Sequence, residues 1–349
     1  MEKKTNIKEI AVNAGRSYGV LIGKGLLKKT GELLNERAKA AKYCIVSDEN
    51  VAPLYLDAIK AQVQSIGAEV HSVVFSAGEA HKTLETIGNI LARLAEWHYT
   101  RTDCLIALGG GIVGDVCGFA ASVYMRGIRF VQLPTTLLAA VDSSVGGKTG
   151  VNLAGLKNQV GAFWQPSLVI CDPDTFGTLP EREMRNGMAE VIKYAAICAP
   201  GLADKLDGDI TEIIGDCVQI KADIVSRDER DNGERMLLNY GHTFGHAVEC
   251  ASEERIPHGM AVAIGMMMAC DAAIRLGVAD SSVRERTAAL LTAHGLPLHA
   301  PEYPAETLYL AMRNDKKRSG NTVTLVLPES FGRCTLHKVT MDELRSLMV

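Results

Sequence analysis

The stretch Leu238–Glu249, "LNYGHTFGHAVE", sets two imidazoles four residues apart in an otherwise apolar, helix-compatible run. On a helix His242 and His246 would stand about 40° apart, so one face can present both to an ion. Zinc proteases use the same spacing in H-E-x-x-H, but here the glutamate is missing and Thr243, Phe244 and Gly245 fill the gap. Two further donors are candidates: His258 in "IPHGMA", and Glu190 in "NGMAEVIKYA", an acid in an apolar helical stretch with Lys193 one turn on. Three protein ligands and an open position make a catalytic zinc site, and these four residues are enough to build one. The plainer alternative is that they are capped or surface histidines, as is expected of isolated ones such as His71 and His98. Cations recur in the same half: Lys193, Lys221, Arg235, Lys316 and Lys317. Their convergence beside a metal would suit a phosphate or carboxylate substrate, whereas scattered they would simply be solvated.

The other chemistry-bearing segment is "LIALGGGIVGDVCGFAAS", a strand, a glycine turn and a helix. Gly109, Gly111 and Gly114 match G-x-G-x-x-G, whose glycines let backbone N–H groups approach a pyrophosphate. The acidic residue expected about 20 positions later to hold a ribose is absent. Asp115 lies inside the turn instead, and Asp48 ends the earlier run "YCIVSD". The motif fits a nucleotide site of non-standard design or a plain tight turn. "DSSVGGKTG" imitates a P-loop but has Asp142 where the first glycine belongs, which removes most support for an ATPase. It is expected to be a flexible glycine-rich loop carrying Asp142, Lys148 and Lys157, able to hold an anion or to lie in solvent.

The elements that must position these residues divide the chain. Up to Leu179, short apolar runs ("KYCIVSD", "EVHSVVFSAG", "DCLIALGGG", "RFVQLPTT", "SLVICDP") alternate with amphipathic ones ("LYLDAIKAQVQSIG", "TIGNILARLAEWH"), which predicts a parallel sheet flanked by helices. Beyond "FGTLPERE" long 3.6-periodic segments dominate until a late "TVTLVLP". The expectation is an α/β domain over 1–179, a mainly helical domain over 180–349, and a cleft between them.

With 47% hydrophobic residues in 349 there is ample core for two domains. A net charge of -4, without blocks of like sign, gives no reason to expect nucleic acid or a membrane as partner, leaving small molecules. The charged start "MEKKTNIKEI" lacks a signal-peptide core, and "GMAVAIGMMMAC" is too short to cross a bilayer, so a cytoplasmic protein is expected. Nine cysteines without a C-x-x-C pair are expected to be mostly buried small hydrophobes.

Taken together, "GEAHKT", "GGGIVGDVCGFAASVYMRGI", "LPTTLLAAVDSSVGGKTGVN", "KNQVGAFWQP", "TLPERE", "NGMAEVIKYA", "LNYGHTFGHAVE", "IPHGMAVAIGM" and "DKKRSG" resemble 3-dehydroquinate synthase in order and spacing over nearly the whole chain. The resemblance implies a Rossmann-like NAD-binding domain, a helical metal-binding domain and a homodimer. It implies conversion of 3-deoxy-D-arabino-heptulosonate 7-phosphate to 3-dehydroquinate with loss of phosphate, the second step of the shikimate pathway. By matching motifs, Glu190, His242 and His258 would bind Zn²⁺ or Co²⁺, and His246 would lie outside that shell, facing the substrate phosphate. Asp142, Lys193, Asn239 and His246 would contact hydroxyls and phosphate and relay protons; Lys148, Asn158 and Lys316 would help hold phosphate; Lys221 and Arg235 would clamp the carboxylate. Arg126, in "YMRGI", would reach the partner subunit's site. Asp48, Glu79, Lys82, Gly111, Gly114, Asp115, Thr135, Thr136, Lys148, Lys157 and Thr178 would bind the cofactor, with Asp115 and Asp48 supplying the missing ribose acid.

One departure from the family pattern is Asp231, where a glutamate is usual four residues before the arginine. The competing readings are a related sugar phosphate cyclase, a metal-dependent polyol dehydrogenase, and a catalytically silent nucleotide- or metal-binding module. "SSVGGKTGVN" and "LNYGH" favour the dehydroquinate version over other cyclases. The intact set Glu190, Lys193, His242, His246 and His258 argues against a silent binder.

Overall fold

Strands buried on both faces need apolar residues at nearly every position, and the runs of the first half meet that need. In the computed structural model, which describes residues 7–253, 255–300, 303–313, 318–319 and 321–347, they form β3 (Lys42–Asp48), β4 (Glu69–Phe75), β5 (Cys104–Gly109), β6 (Arg129–Pro134) and β9 (Leu168–Cys171). A hairpin not singled out from the sequence, β1 (Lys8–Val12) and β2 (Tyr18–Ile22), completes a seven-stranded sheet of order β1-β2-β9-β6-β5-β3-β4, parallel except for β1. Side chains alternate between two cores. On β3, Cys44 and Val46 pack with Ile87 and Ile90 of α3 (Leu84–Glu96) and Val113 and Cys117 of α4 (Gly111–Val123). Tyr43 and Ile45 pack with Leu34 of α1 (Thr30–Arg37) and Ile59 and Val63 of α2 (Ala52–Ser65).

The chain divides into two compact units, Met1–Leu179 with Ile210–Glu229, and Pro180–Asp209 with Arg230–Val349. The division differs from an uninterrupted second domain over 180–349. After α5 (Glu181–Ile197), helix α6 (Ile210–Arg227) returns to the first unit, where Lys8 Nζ pairs with Glu212 at 3.0 Å and Lys221 Nζ pairs with Asp142 Oδ1 at 2.9 Å. Helical periodicity is identical whichever neighbour a helix buries its face against, so it cannot reveal that return.

The segment expected to be a glycine loop is mostly regular. Asp142 lies in a π-helical turn, Ala139–Ser143, and Gly146 and Gly147 (φ 94° and 68°) lead into the antiparallel pair β7 (Lys148–Leu153) and β8 (Leu156–Phe163). Lys148 therefore opens a strand, whereas a P-loop lysine opens a helix.

The second unit is mainly helical: α5, α7 (His242–Ala251), α8 (His258–Arg275), α9 (Ser281–Ala293), α10 (Ala305–Arg313) and α11 (Met341–Leu347). It also holds an antiparallel sheet of β10 (Arg318–Ser319), β11 (Thr322–Ser330) and β12 (Arg333–Thr340). Only β11 has a plain apolar signature, because most β12 side chains remain partly exposed. Among the described residues no helix is long and apolar enough to cross a membrane. Six of the nine cysteines are buried, while Cys198 and Cys250 are exposed.

Helix α8 contacts its neighbours through glycine. A Cβ on Gly265 would meet Gly241 O at 1.9 Å, and one on Gly259 would meet Asn186 O at 1.9 Å. These contacts press α8 against the start of α7 and against α5, the elements that carry the histidines and Glu190. Gly265→Ala should therefore lower unfolding free energy by about 1–3 kcal/mol, the usual cost of overpacking. Gly88→Ala, on the exposed face of α3 with nothing within 4 Å of the new methyl, should raise it by about 0.5–1 kcal/mol. Urea titrations of both variants measure the contrast.

Candidate active site

Glu190 sits mid-way along α5 with its side chain only 1% exposed. A carboxylate that far from water needs cationic partners. Lys193, one turn on and equally buried, brings Nζ to 2.5 Å from Oε2. On its other side Oε1 lies 3.3 Å from His258 Nε2 and 3.6 Å from His242 Nε2.

Each ring's remaining nitrogen has an acceptor. His242 Nδ1 is 3.1 Å from the carbonyl of Tyr240, and His258 Nδ1 is 3.1 Å from Glu249 Oε1. A carbonyl only accepts, so His242 carries its proton on Nδ1 and turns the Nε2 lone pair toward Glu190. Burial pushes the imidazolium of His242 well below its ordinary pKa, leaving the neutral ring a metal requires. Burial alone would do the same to His258, but Glu249 and Glu190 outweigh it and raise its pKa to about 10. The pocket is thus built to hold positive charge, and a proton on His258 competes for the space of an ion.

Donor atoms of Glu190, His242 and His258 all lie within 4.8 Å of one another, a carboxylate and two imidazoles as zinc or cobalt prefers. A second set, His246, Glu249 and His258, meets the same distance limit. His246 stands edge-on to His242, ring centres 5.5 Å apart, on the same face of α7 but exposed. Just before α7, Arg235 is 1% exposed and Asn239 Nδ2 donates to the carbonyl of Met236 at 3.1 Å. Asp231 has φ 61°, in the left-handed region that aspartate enters more readily than glutamate, a local reason for the shorter acid.

In the first unit the candidate nucleotide residues gather at the carboxyl ends of the parallel strands. β3 and β5 are neighbours whose successors lie on opposite sides, the switch point where such sheets bind ligands. Asp48 ends β3, Gly111, Gly114 and Asp115 follow β5, Thr135 and Thr136 follow β6, Glu79 and Lys82 follow β4, and Thr178 follows β9. Gly114 allows α4 to lie on the sheet, since a Cβ there would meet Gln132 Oε1 at 2.6 Å. Lys82, 4% exposed, donates to Asp115 Oδ2 at 2.6 Å and to Asn158 Oδ1 at 2.5 Å. Burial raises the pKa of Asp115 against the pull of Lys82. Thr135 Oγ1 is buried with no hydrogen-bond partner among the described residues, a polar atom that a ligand could satisfy.

Several expected contacts take another form. Asp48 Oδ1 accepts from the N–H groups of Asn50 and Val51, both at 2.9 Å, so that oxygen closes the turn before α2. Thr178 Oγ1 is 2.5 Å from the Tyr55 hydroxyl. Lys221 donates to the Asp142 carbonyl as well as its carboxylate. Lys157 and the exposed Lys148 lie on the β7–β8 pair. Arg126 is exposed, beyond the far end of α4. Lys316 lies outside the described residues.

Two residues were not anticipated from the sequence. Asn152 is a hub: Nδ2 donates to Glu79 at 2.8 Å, Oδ1 accepts from the N–H of Asn158 at 2.9 Å, and its own N–H donates to the carbonyl of Lys82 at 2.9 Å. Nothing in the pattern around "TGVN" marks it, because its partners are remote in sequence. The other is Glu249, three residues after His246.

A switch-point sheet followed by a helical unit with a Glu–His–His cluster is the architecture of the sugar phosphate cyclases. The fold matches 2-deoxy-scyllo-inosose synthase, solved with carbaglucose-6-phosphate, NAD⁺ and Co²⁺, with TM-score 0.89 and 27% identity over 98% of this chain and 99% of that one. It matches 2-epi-5-epi-valiolone synthase from Streptomyces hygroscopicus subsp. jinggangensis 5008, solved with NAD⁺ and Zn²⁺, with TM-score 0.86 and 27% identity over 97% and 98%. Sequence profiles for the N-terminal and C-terminal parts of 3-dehydroquinate synthase match residues 72–186 and 187–318. The 3-dehydroquinate synthase of Rhizobium etli (strain CIAT 652) is 44% identical over 91% of this chain and 89% of its own. The chain belongs to the 3-dehydroquinate synthase family.

Removing the Asn152 side chain should loosen Glu79 and Asn158 together. Two lost hydrogen bonds of about 0.5–1.5 kcal/mol each predict that Asn152→Ala weakens NAD⁺ binding by roughly 5-fold and at most about 150-fold. Calorimetric titration with NAD⁺ checks this, with the melting temperature as the control for folding.

Proposed function

We propose that the chain converts 3-deoxy-D-arabino-heptulosonate 7-phosphate to 3-dehydroquinate and inorganic phosphate, acting as a phosphate-eliminating lyase. The observation that carries the reading is the buried Glu190 with Nε2 of His242 and of His258 on one side and Lys193 on the other. Glu190, His242 and His258 would hold Zn²⁺ or Co²⁺, and the strand-end residues around Lys82 and Asp115 would hold NAD. When bound, the ion supplies Lewis acidity at a ring hydroxyl and NAD a hydride acceptor restored within each turnover.

What is left to the chain is binding and proton movement. Loss of phosphate by elimination requires a proton to leave the neighbouring C–H, and ring opening and the intramolecular aldol closure each require a proton to be moved, so the chain must place donors and acceptors around the substrate. Lys193 Nζ, tied to Glu190, is a fixed proton source beside the metal ligands. His246 shares the helix of His242 yet stays exposed, which suits a group that meets phosphate and exchanges protons with it. Asp142 and Asn239 would contact hydroxyls; Lys148, Asn158 and Lys316 would hold phosphate; Lys221 and Arg235 would take the carboxylate.

Asp115 lies near the start of α4 and Arg126 beyond its far end, with about 12 Å of helix between Asp115 and the last helical residue, Val123. Met125 and Arg126 both have positive φ, 49° and 66°, an uncommon conformation that breaks the helical path after α4 and leaves Arg126 exposed. That position supports a role in the partner's site, hence a homodimer, in the cytoplasm where the pathway's substrates are made.

With the heptulosonate phosphate, zinc and a catalytic amount of NAD⁺, the protein should release one phosphate per dehydroquinate and accumulate no NADH. Net NADH formation would indicate a polyol dehydrogenase, and no phosphate release from folded, metal-loaded protein would refute the assignment. His246→Ala should keep near-stoichiometric metal and lose about 10²–10⁴-fold in turnover, as for loss of a general acid–base group, whereas His242→Ala should lose the metal. Metal analysis beside the kinetics separates the two.

A further inference from the structure

We propose that Glu249 is a positioning residue for the metal site, holding His258 in the one tautomer that presents Nε2 to the ion; this rests on the ligand set Glu190, His242 and His258. The Glu249 side chain is 3% exposed and sits on α7, seven residues after His242, while His258 opens α8. One helix thus supplies a ligand and also the group that orients its neighbour's ligand. The spacing between them is set by backbone contact, since a Cβ on Gly245 would meet Ala261 O at 2.9 Å and one on Gly265 would meet Gly241 O.

The two nitrogens of His258 face different carboxylates: Nδ1 is 3.1 Å from Glu249 Oε1, and Nε2 is 3.3 Å from Glu190 Oε1. A neutral imidazole has one N–H and one lone pair. If the lone pair were on Nδ1, it would confront a carboxylate oxygen at hydrogen-bond distance, acceptor against acceptor. With the proton on Nδ1 it is donated to Glu249, and the Nε2 lone pair points to where Glu190 and His242 Nε2 converge. The Tyr240 carbonyl does the same for His242. The two rings are therefore oriented by unlike acceptors, a neutral carbonyl and a charged carboxylate, and the charged one makes its imidazole the stronger donor. The same geometry argues against Glu249 as a ligand in the alternative set with His246 and His258. The His258 nitrogen nearest Glu249 is Nδ1, which is already committed to the hydrogen bond.

The test uses Co²⁺ as the probe, since its visible absorption reports the ligand set. Glu249→Gln keeps an acceptor but removes the charge, and Glu249→Ala removes both. Glu249→Gln should bind one Co²⁺ with the wild-type absorption bands and about 10-fold weaker affinity, and Glu249→Ala about 100-fold weaker, in chelator competition. Glu249→Asp serves as the conservative control and should stay closer to wild type than Ala. In the zinc-loaded protein, ¹⁵N spectra should show the His258 proton on Nδ1, and in Glu249→Ala that signal should shift. Loss of Co²⁺ in Glu249→Gln as complete as in Glu190→Gln, with altered bands, would make Glu249 a ligand and overturn the proposal. Unchanged affinity in both Gln and Ala variants would overturn it as well. Wild-type affinity in Glu190→Gln would be a different failure, bringing down the ligand set and the role of Glu249 with it.

Discussion

The second unit is organised around one constraint: a carboxylate, Glu190, that water cannot reach. An isolated buried charge costs several kcal/mol, so the fold surrounds it with positive or polarisable groups. Lys193 comes from the same helix at i+3, a neighbour that α5 provides without further cost. The imidazoles come from α7 and α8, and bringing them in requires helices closer than ordinary side chains permit. Gly241, Gly245, Gly259 and Gly265 supply that closeness. A second carboxylate, Glu249, adds to the negative charge and leaves a pocket that favours positive charge.

In the first unit the organising feature is topological. Parallel strands deliver their carboxyl ends to one edge, and loops from β3, β4, β5, β6 and β9 can converge there although their residues are far apart in sequence. Lys82 and Asn152 join segments that the sheet alone would leave independent. The ion pair of Lys82 with Asp115 is mostly shielded from solvent, so its hydrogen bond to Asn158 also fixes the start of β8. The π-helical turn at Asp142 is a similar device, its carboxylate and carbonyl both bonded by Lys221.

Much of this was legible in the sequence because periodicity and motif spacing are local. The alternation of apolar runs revealed β3–β6 and β9, and the motif ensemble pointed to the residues that form the Glu190–His242–His258 cluster. What was hidden depends on remote partners. α6 has the same amphipathic pattern whichever unit it covers; β7 and β8 are rich in glycine and polar residues and resemble a loop until paired with each other. β12 is too exposed to look like a strand. Asn152 and Glu249 act through residues on other segments or at another helix's start, and their own neighbours in the chain carry no trace of it. The pair "HTFGH" looked able to share an ion, but the structure puts His242 against Glu190 and leaves His246 exposed on the same face.

The return of α6 also bears on how the protein is made. The polypeptide leaves the first unit at residue 179, comes back at 210 and leaves again at 230. A ribosome that has released only the first 179 residues has therefore not released everything the α/β unit needs: Lys221 has yet to reach Asp142, and Glu229 has yet to bond Gly15 and Gln165. The stretch containing Glu190 thus emerges before the nucleotide-binding half can close. Dividing the gene at the apparent boundary would strand α6 on the wrong fragment, and a separately encoded α/β unit would require a rearranged chain that restores residues 210–229.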